Sequence, residues 1–413
     1  MRTSVNAYGS AAPPARPPFD ATRLEGSARS VYESLKNVEG WVERHNYMAY
    51  EPFDGLSSPL HRITQRHLLL DRLLLQAIRQ SPINLRPLLG VKPLPSTKGR
   101  GYMAAGYVTM YELTNDATYR DKAIRNLDWL IAHKSDRYQD CAWANHFPFA
   151  SRGGTYPAHE PIIVWTALIG YAFVDAFEVF GDSRFLDVAH SICRWILALP
   201  RERTSAGTCL SYHNLYQESI HNANMLGAAM LARTWKHSGD GEYLEAASEA
   251  MRYSCTRQRP DGAWWYAEED KYHWIDNFHT GYNLDSLRYY IDSTGDDTHR
   301  EVMLRGLDFY KRSFFLDDGC PRYYHSRTQP IDSQCAAQSI ETLARFADVD
   351  PGALPLAERV AQWTIRHMQS RDGHFFYRVY PLVKARTPML HWAQATTFRG
   401  LTLLLQRQLG GRL

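Results

Sequence analysis

The sequence predicts an all-α fold, an (α/α)6 toroid in which six helical hairpins close into a ring, with an extra N-terminal helix and long loops at one end. Three observations carry this prediction. First, a turn signal recurs: Asn115-Asp116, Gly181-Asp182, Gly239-Asp240, Gly295-Asp296 and Asp348-Val349-Asp350 place acids at 116, 182, 240, 296 and 350, spaced 66, 58, 56 and 54 residues apart. Self-similarity at such a period marks a repeat architecture. Second, a strongly apolar stretch precedes each turn and an amphipathic one follows it. Third, unpartnered helical patterns remain at both ends of the chain, so the first can pair with the last and close the ring. The period alone also fits an open solenoid of helical pairs.

In chain order, residues 1–19 carry Pro13, Pro14, Pro17 and Pro18 among alanines and are expected to form a flexible arm, leaving 20–413 as one toroid domain. Residues 23–45 are expected to form the extra helix, packed outside the ring. The stretch 60–78, containing HLLLDRLLLQAI, is expected to be the twelfth ring helix, lying beside 393–405. At each turn a Gly or Asn ends one helix in the left-handed conformation, and the acid after it caps the next. The apolar segments 102–113, 162–180, 224–237, 283–291, 336–346 and 393–405 suit buried inner helices. The amphipathic segments 119–133, 184–199, 243–256, 300–314 and 356–369 suit outer ones. In the first of these Ala123, Leu127, Leu130 and Ile131 share one face at helical spacing.

Composition narrows the function classes. Hydrophobic residues make up 44% and charged residues 22%, which excludes a mainly disordered chain. Forty-seven basic residues face 44 acidic ones in an even spread, giving a net charge of +3, so no basic stripe points to nucleic acid. The longest apolar run, PIIVWTALIGYAFV, ends at Asp175 and is shorter than the roughly 18 residues a bilayer demands. With no secretory signal at the start, a cytoplasmic location is expected. The six cysteines form no CxxC pair, and reduced thiols are expected. No HxxxH or HExxH pair occurs, so neither a metal nor another cofactor is assigned. The 25 tyrosines and 11 tryptophans exceed what a core needs and point to a lined cavity.

Chemistry is expected at the long-loop end. Segments 134–160, 201–222, 258–279, 315–333 and 370–391 link each outer helix to the next inner one and hold nine of the 17 histidines, a concentration that even scatter would not give. Polar residues precede or open the inner helices: His159-Glu160, His221-Asn222, Asp276-Asn277-Phe278-His279 with Tyr282, Asp332-Ser333-Gln334, and His391-Trp392-Ala393-Gln394. Capping accounts for Asp, Asn and Ser at such places, but not for imidazoles, tryptophan and glutamate. Three loops also repeat Asp-Gly followed by aromatics, at Asp261, Asp318 and Asp372. The first, with Gln258, Trp264 and Trp265, resembles the QxxDGxW element of terpene cyclases, whose DxDD-type motif this chain lacks. These turns are read chiefly as structural.

The stretch from His221 to Asp296, centred on Trp274-Ile275-Asp276-Asn277-Phe278-His279-Thr280-Gly281, resembles a group of bacterial proteins of exopolysaccharide biosynthesis. That resemblance implies a polysaccharide context. More broadly the hairpin repeat resembles six-hairpin glycosidases, toroidal polysaccharide lyases and uronyl C5-epimerases, which implies a sugar chain lying across a ring of aromatic and acidic residues. The Asn-His-Arg-Tyr-Trp run of some alginate-type lyases is replaced here by Asn145-His146-Phe147.

Three functions are therefore expected in order. A glycoside hydrolase would use Glu160, desolvated near Trp143 and Phe147, as acid and Asp276 as base, the two about 6.5–9.5 Å apart for inversion. A lyase or C5-epimerase would move a proton with His279, Tyr324 or His221 while Arg322 or Arg327 neutralises a uronate. A non-catalytic glycan-binding protein of exopolysaccharide assembly is third. The expected binding residues are Asn145, His146, His159, His213, His221, Asn222, Trp264, Trp265, Asn277, Tyr282, Arg322, His325, Arg327, His391, Trp392 and Gln394. His159, His221, Asp276, His279 and His391 are expected to line one cavity.

Overall fold

The computed structural model describes residues 19–65, 67–151 and 153–411. The expected flexible arm, apart from Phe19, lies outside the described residues. Fourteen α-helices run in order among them: α1 Gly26–Arg44, α2 His61–Thr64, α3 Leu68–Gln80, α4 Thr97–Thr114, α5 Ala117–Ala132, α6 Ile163–Phe180, α7 Ser183–Leu197, α8 His221–Ser238, α9 Gly241–Cys255, α10 Asn277–Thr294, α11 Arg300–Ser313, α12 Ser333–Arg345, α13 Ala353–Met368 and α14 Thr396–Gln408.

Four of the five predicted turns have the expected chemistry. Asn115, Gly181, Gly239 and Gly295 end α4, α6, α8 and α10 in the left-handed region, with φ between 56° and 72°. Asp116, Asp182, Asp240 and Asp296 each then accept a backbone N–H two residues on. The fifth turn is built differently. No left-handed residue ends α12, and Asp350 instead accepts from Gly352 N at 2.7 Å while pairing with Lys311 on α11.

The inner helices α4, α6, α8, α10, α12 and α14 pack in succession, and α14 packs back on α4, so the ring is closed and the open solenoid is excluded. Closure demands close approach. A Cβ on Gly106 of α4 would sit 2.5 Å from the ring of Phe398 on α14, so this position has room only for glycine. A largely buried charge network ties the inner helices of the ring together. Asp175 of α6 holds Arg233 of α8 at 2.8 Å and Arg399 of α14 at 3.1 Å. Helix α6, the longest apolar segment, is 18 residues long and apolar enough by length and composition to cross a membrane. Here it is an inner helix, with α4 and α8 beside it and α7 behind it.

The outer helices correct one expectation. α5, α7, α9, α11 and α13 stand behind α4, α6, α8, α10 and α12 as predicted, but the sixth outer helix is α1, packed on α14 and α13. Residues 23–45 are thus part of the ring, and 60–78 are not. Val31, Leu35, Val38 and Val42 recur at helical spacing on α1 and are buried, the pattern of a core-facing stripe. α3 instead packs on the turn at 54–57 and on the strand at 149–150, over the long-loop end. It buries only Asp71, Leu75 and Ile78, leaving Leu68, Leu69, Leu70 and Leu73 exposed. The leucine content of this segment suggested ring packing that the helix does not make.

The long loops are stiffened by short antiparallel strands. Residues 48–49 pair with 94–95, 149–150 with 155–156, 201–204 with 207–210, and 378–379 lies between 331–332 and 384–385. These strands pin the loops over the N-terminal ends of the inner helices.

Candidate active site

At that end a cavity of about 780 Å3 opens along the ring axis, within the size range of small-molecule sites. Three imidazoles line it: His273, whose Nε2 bonds to Glu268 O at 2.9 Å, His279 and His391. Asp276 caps α10 by accepting His279 N at 3.0 Å, and its second oxygen accepts from His279 Nδ1 at 2.7 Å and Trp274 Nε1 at 3.0 Å. The three-residue spacing on the first helical turn brings the two side chains together. With Nδ1 engaged, Nε2 is the nitrogen of His279 left for chemistry.

His391 sits in a π-helical turn, Leu390–Ala395, leading into α14. A π-turn inserts a residue and is frequent at functional sites. Its Nδ1 lies 3.4 Å from Glu51 Oε2, and its backbone N donates to Glu51 Oε1 at 3.3 Å. Lys98, 3.8 Å from Glu51 and 4.2 Å from the centre of the Trp165 ring, completes this buried group. Burial pushes Glu51 up, but Lys98 and His391 outweigh it and hold the carboxyl near 2. Burial, with Lys98, pushes His391 below the ordinary imidazole value against the pull of Glu51, so its neutral form dominates at pH 7.

The remaining lining supplies hydrogen bonds and ring surface. Tyr282 Oη, 3.2 Å from Tyr102 Oη, accepts from Gln334 Nε2 at 2.8 Å. Phe278 packs edge-on against Trp392, and Tyr266 stacks on Trp274 at 4.4 Å. Glu218 accepts from Tyr272 and Tyr156 at 2.8 and 2.7 Å, and His213 Nε2 stands 3.3 Å away. Burial pushes the Glu218 carboxyl up, but these donors outweigh it and hold it below the usual glutamate value. α3 closes one side with Arg72, Gln76, Arg79 and Gln80.

Of the residues singled out in the sequence, Asp276, His279, Tyr324, Asn222, Tyr282, Arg327, His391 and Trp392 line this cavity. The others do not. Glu160 is buried in the 134–160 loop against Tyr138 Oη at 2.9 Å and Arg137 at 3.4 Å, so it cannot serve as the acid facing Asp276 across this cavity. His159 takes a left-handed turn and bonds through its N–H to Asn145 O, and His146 packs on Phe147. His213 lies behind Glu218. His221 opens α8 but points to Ser254 of α9 and to Glu268, whereas its neighbour Asn222 lines the cavity. Asn277 likewise turns to Tyr310 and Ser339. Adjacent helical residues point about 100° apart, so a place at a helix start does not by itself aim a side chain at the axis. Trp264 is core, donating to Ser254 O, and Trp265 is stacked between His273 and Arg259. Both reach only a narrow recess beside the cavity. Arg322 is tied by its backbone to Phe314 O, His325 faces Ile275 O, and Gln394 bridges both backbone groups of Phe375.

The sequence reading missed Glu51, Lys98, Glu218, Arg79 and Trp165. None lies in a motif. The excess of aromatic residues was the available signal for the walls. Among the described residues no three His, Cys, Asp or Glu side chains gather as a metal site, and the six cysteines are unpaired and buried.

Solved structures of similar fold include several that are remote in sequence. A cellobiose 2-epimerase from Bacillus thermoamylovorans matches with a TM-score of 0.60 at 12% identity, covering 76% of this chain and 88% of that one. A family GH76 α-mannanase from Bacteroides thetaiotaomicron matches with a TM-score of 0.60 at 11% identity, covering 76% and 86%. A D-mannose isomerase matches with a TM-score of 0.57 at 12% identity, covering 75% and 87%. The fold is therefore an (α/α)6 toroid, shared with sugar epimerases, isomerases and glycosidases. No protein-family model and no curated protein sequence matches the chain.

Proposed function

We propose that this protein is a carbohydrate-active enzyme that moves a proton on a sugar carbon, in the epimerase or isomerase class, with His279 and His391 as its acid–base pair. The observation that carries the reading is that two of the three cavity imidazoles, His279 and His391, come from different segments of the chain, each with a carboxylate beside Nδ1 and, among the described residues, no hydrogen bond at Nε2, whereas the Nε2 of His273 is taken by Glu268 O. At His279 the bonded carboxylate fixes the tautomer, and at both residues the nearby negative charge stabilises the imidazolium formed when Nε2 takes a proton. Neutral His391 suits the base that removes a proton from a carbon next to a carbonyl or carboxylate, and His279 suits the acid that returns one. Tyr282, in its hydrogen-bonded set with Tyr102 and Gln334, suits the oxygen that gains charge in between. Likeness to proteins named as a cellobiose 2-epimerase and a D-mannose isomerase supports this class.

Hydrolysis by paired carboxylates fits less well. Glu160 is outside the cavity, and both oxygens of Asp276 already accept bonds. Likeness to a GH76 mannanase keeps it as the second reading. The test is incubation with mannose, cellobiose and a glucuronate-containing disaccharide in deuterium oxide. Proton transfer predicts deuterium at a sugar carbon, lost in both His279→Gln and His391→Gln. Release of reducing ends with no exchange would favour hydrolysis and overturn the assignment.

A further inference from the structure

Among the described residues the arginines of α3 have no acidic partners. Elsewhere several buried guanidiniums are matched: Arg86 by Asp54 at 2.8 Å, Arg378 by Asp332 at 2.6 Å, Arg233 by Asp175 at 2.8 Å. Among the described residues no ion pair joins Arg72, Arg79 or Arg327 to a carboxylate, though all three line the cavity. Arg79 lies 4.6 Å over the ring of Phe53 and 5.9 Å from that of Trp392, and its Nε donates to Tyr377 Oη at 3.3 Å. Arg327 lies 4.5 Å over Tyr324. These contacts orient the guanidiniums without neutralising them. The cavity's own acids, Asp276 and Glu218, are each already filled by donors from the protein.

α3 is also oriented against the usual rule for a surface helix. Arg72, Gln76 and Arg79, at i, i+4 and i+7, lie along its cavity side, whereas Leu69 and Leu73 are 65% and 57% exposed. A helix that turns long polar side chains inward over a sugar-sized cavity is placed to bind something polar there. Guanidinium forks match carboxylate and phosphate oxygens in pairs.

We infer that the cavity side of α3, through Arg72 and Arg79 and joined by Arg327 from the 315–333 loop, is a subsite for the acidic group of a saccharide, either a carboxylate or a phosphate. This rests on the saccharide reading above and names the substrate class within it. The acidic group is held at the mouth by α3, while the reacting carbon lies between the imidazoles of the ring.

The experiment is calorimetric binding of three probes: cellobiose, its glucuronate analogue cellobiouronate, and glucose 1-phosphate. The inference expects at least one acidic probe to bind about tenfold or more tighter than cellobiose, the factor one charge-assisted bond supplies, with affinity falling as salt rises. Which acidic probe is preferred assigns carboxylate or phosphate. Arg72→Gln and Arg79→Gln should each remove most of that preference, read as the ratio of acidic-probe to cellobiose affinity. Among the described residues Arg72 makes no side-chain hydrogen bond or ion pair, so its variant tests the point even if Arg79→Gln folds poorly. Equal affinity for acidic and neutral probes, binding of none of them, or a preference that survives the double variant would overturn the inference. Acid-selective binding without deuterium exchange would keep it and reject the proton-transfer reading instead.

Discussion

The substitution Asp276→Asn puts the proposed chemistry under the sharpest strain, because it changes one charge and almost no volume. Asp276 accepts three bonds, from His279 N, His279 Nδ1 and Trp274 Nε1. An amide has one accepting oxygen. If that oxygen stays on the helix cap, the NH2 group faces the Trp274 N–H and forces His279 Nδ1 to become an acceptor. The proton then moves to Nε2, the nitrogen that must exchange with substrate. If the amide rotates, the cap is lost at about 1 kcal/mol and the NH2 faces the N–H of His279. Either way a charge-assisted hydrogen bond is lost, at about 1.5–3 kcal/mol. At 1.4 kcal/mol per factor of ten this is about 10- to 100-fold in kcat before the tautomer is counted. Stability should fall by about 1–3 kcal/mol through the unsatisfied indole N–H. Deuterium incorporation by NMR gives kcat, calorimetry gives substrate affinity, and thermal unfolding confirms the fold. The expected result is a large loss of exchange with affinity near wild type. A folded Asp276→Asn protein that exchanges at the wild-type rate would refute the role of the Asp276–His279 pair.

Three further outcomes follow from the same geometry. Glu160→Gln should retain full exchange activity while lowering stability by about 1–3 kcal/mol through its bonds to Tyr138 and Arg137; abolished turnover in a stable protein would return Glu160 to the site. Gly373, at φ 105°, would bring a Cβ within 2.4 Å of Asn37 O on α1; Gly373→Ala should therefore destabilise by more than about 1 kcal/mol in urea unfolding, and a neutral result would undo the placement of α1 against the 370–391 loop. The pH profile of exchange should fall on the acid side, because His391 must be neutral to act as base. Its depressed folded value means the unfolded chain binds the extra proton first. This contribution to stability is thus complete above about pH 6.5 and is lost as pH falls below it. Glu51, near 2, stays ionised throughout. An acid limb that lies above the ordinary imidazole value in both activity and unfolding would contradict this.

The ring was legible because its determinants are local. Left-handed turn residues, capping acids and helical periodicity are written within a few residues of where they act, and four of five turns formed as expected. Assignment of the sixth outer helix was not local. α1 and α3 both carry amphipathic patterns, and which one meets α14 depends on contacts more than 300 residues away in sequence, such as Ser27 with Gln408 at 3.0 Å. The denser leucine pattern of 60–78 was the poorer guide, since hydrophobic content states what a helix can bury and not what it finds to bury against.

The candidate site divides along the same line. Asp276 with His279 was legible as a pair because cap and imidazole share one helical turn. His391 was singled out by position, but its partner Glu51 lies 340 residues earlier in a segment with no motif, so the symmetry of two carboxylate-backed imidazoles could not be read from the chain. That symmetry changed the preferred chemistry. A search for paired carboxylates finds Glu160 and Asp276 by type, whereas the fold commits both acids to protein donors and brings His279 and His391 to the cavity instead. In the proposed reading Asp276 therefore changes its role, from a base that would meet water to the group that sets which nitrogen of His279 meets substrate.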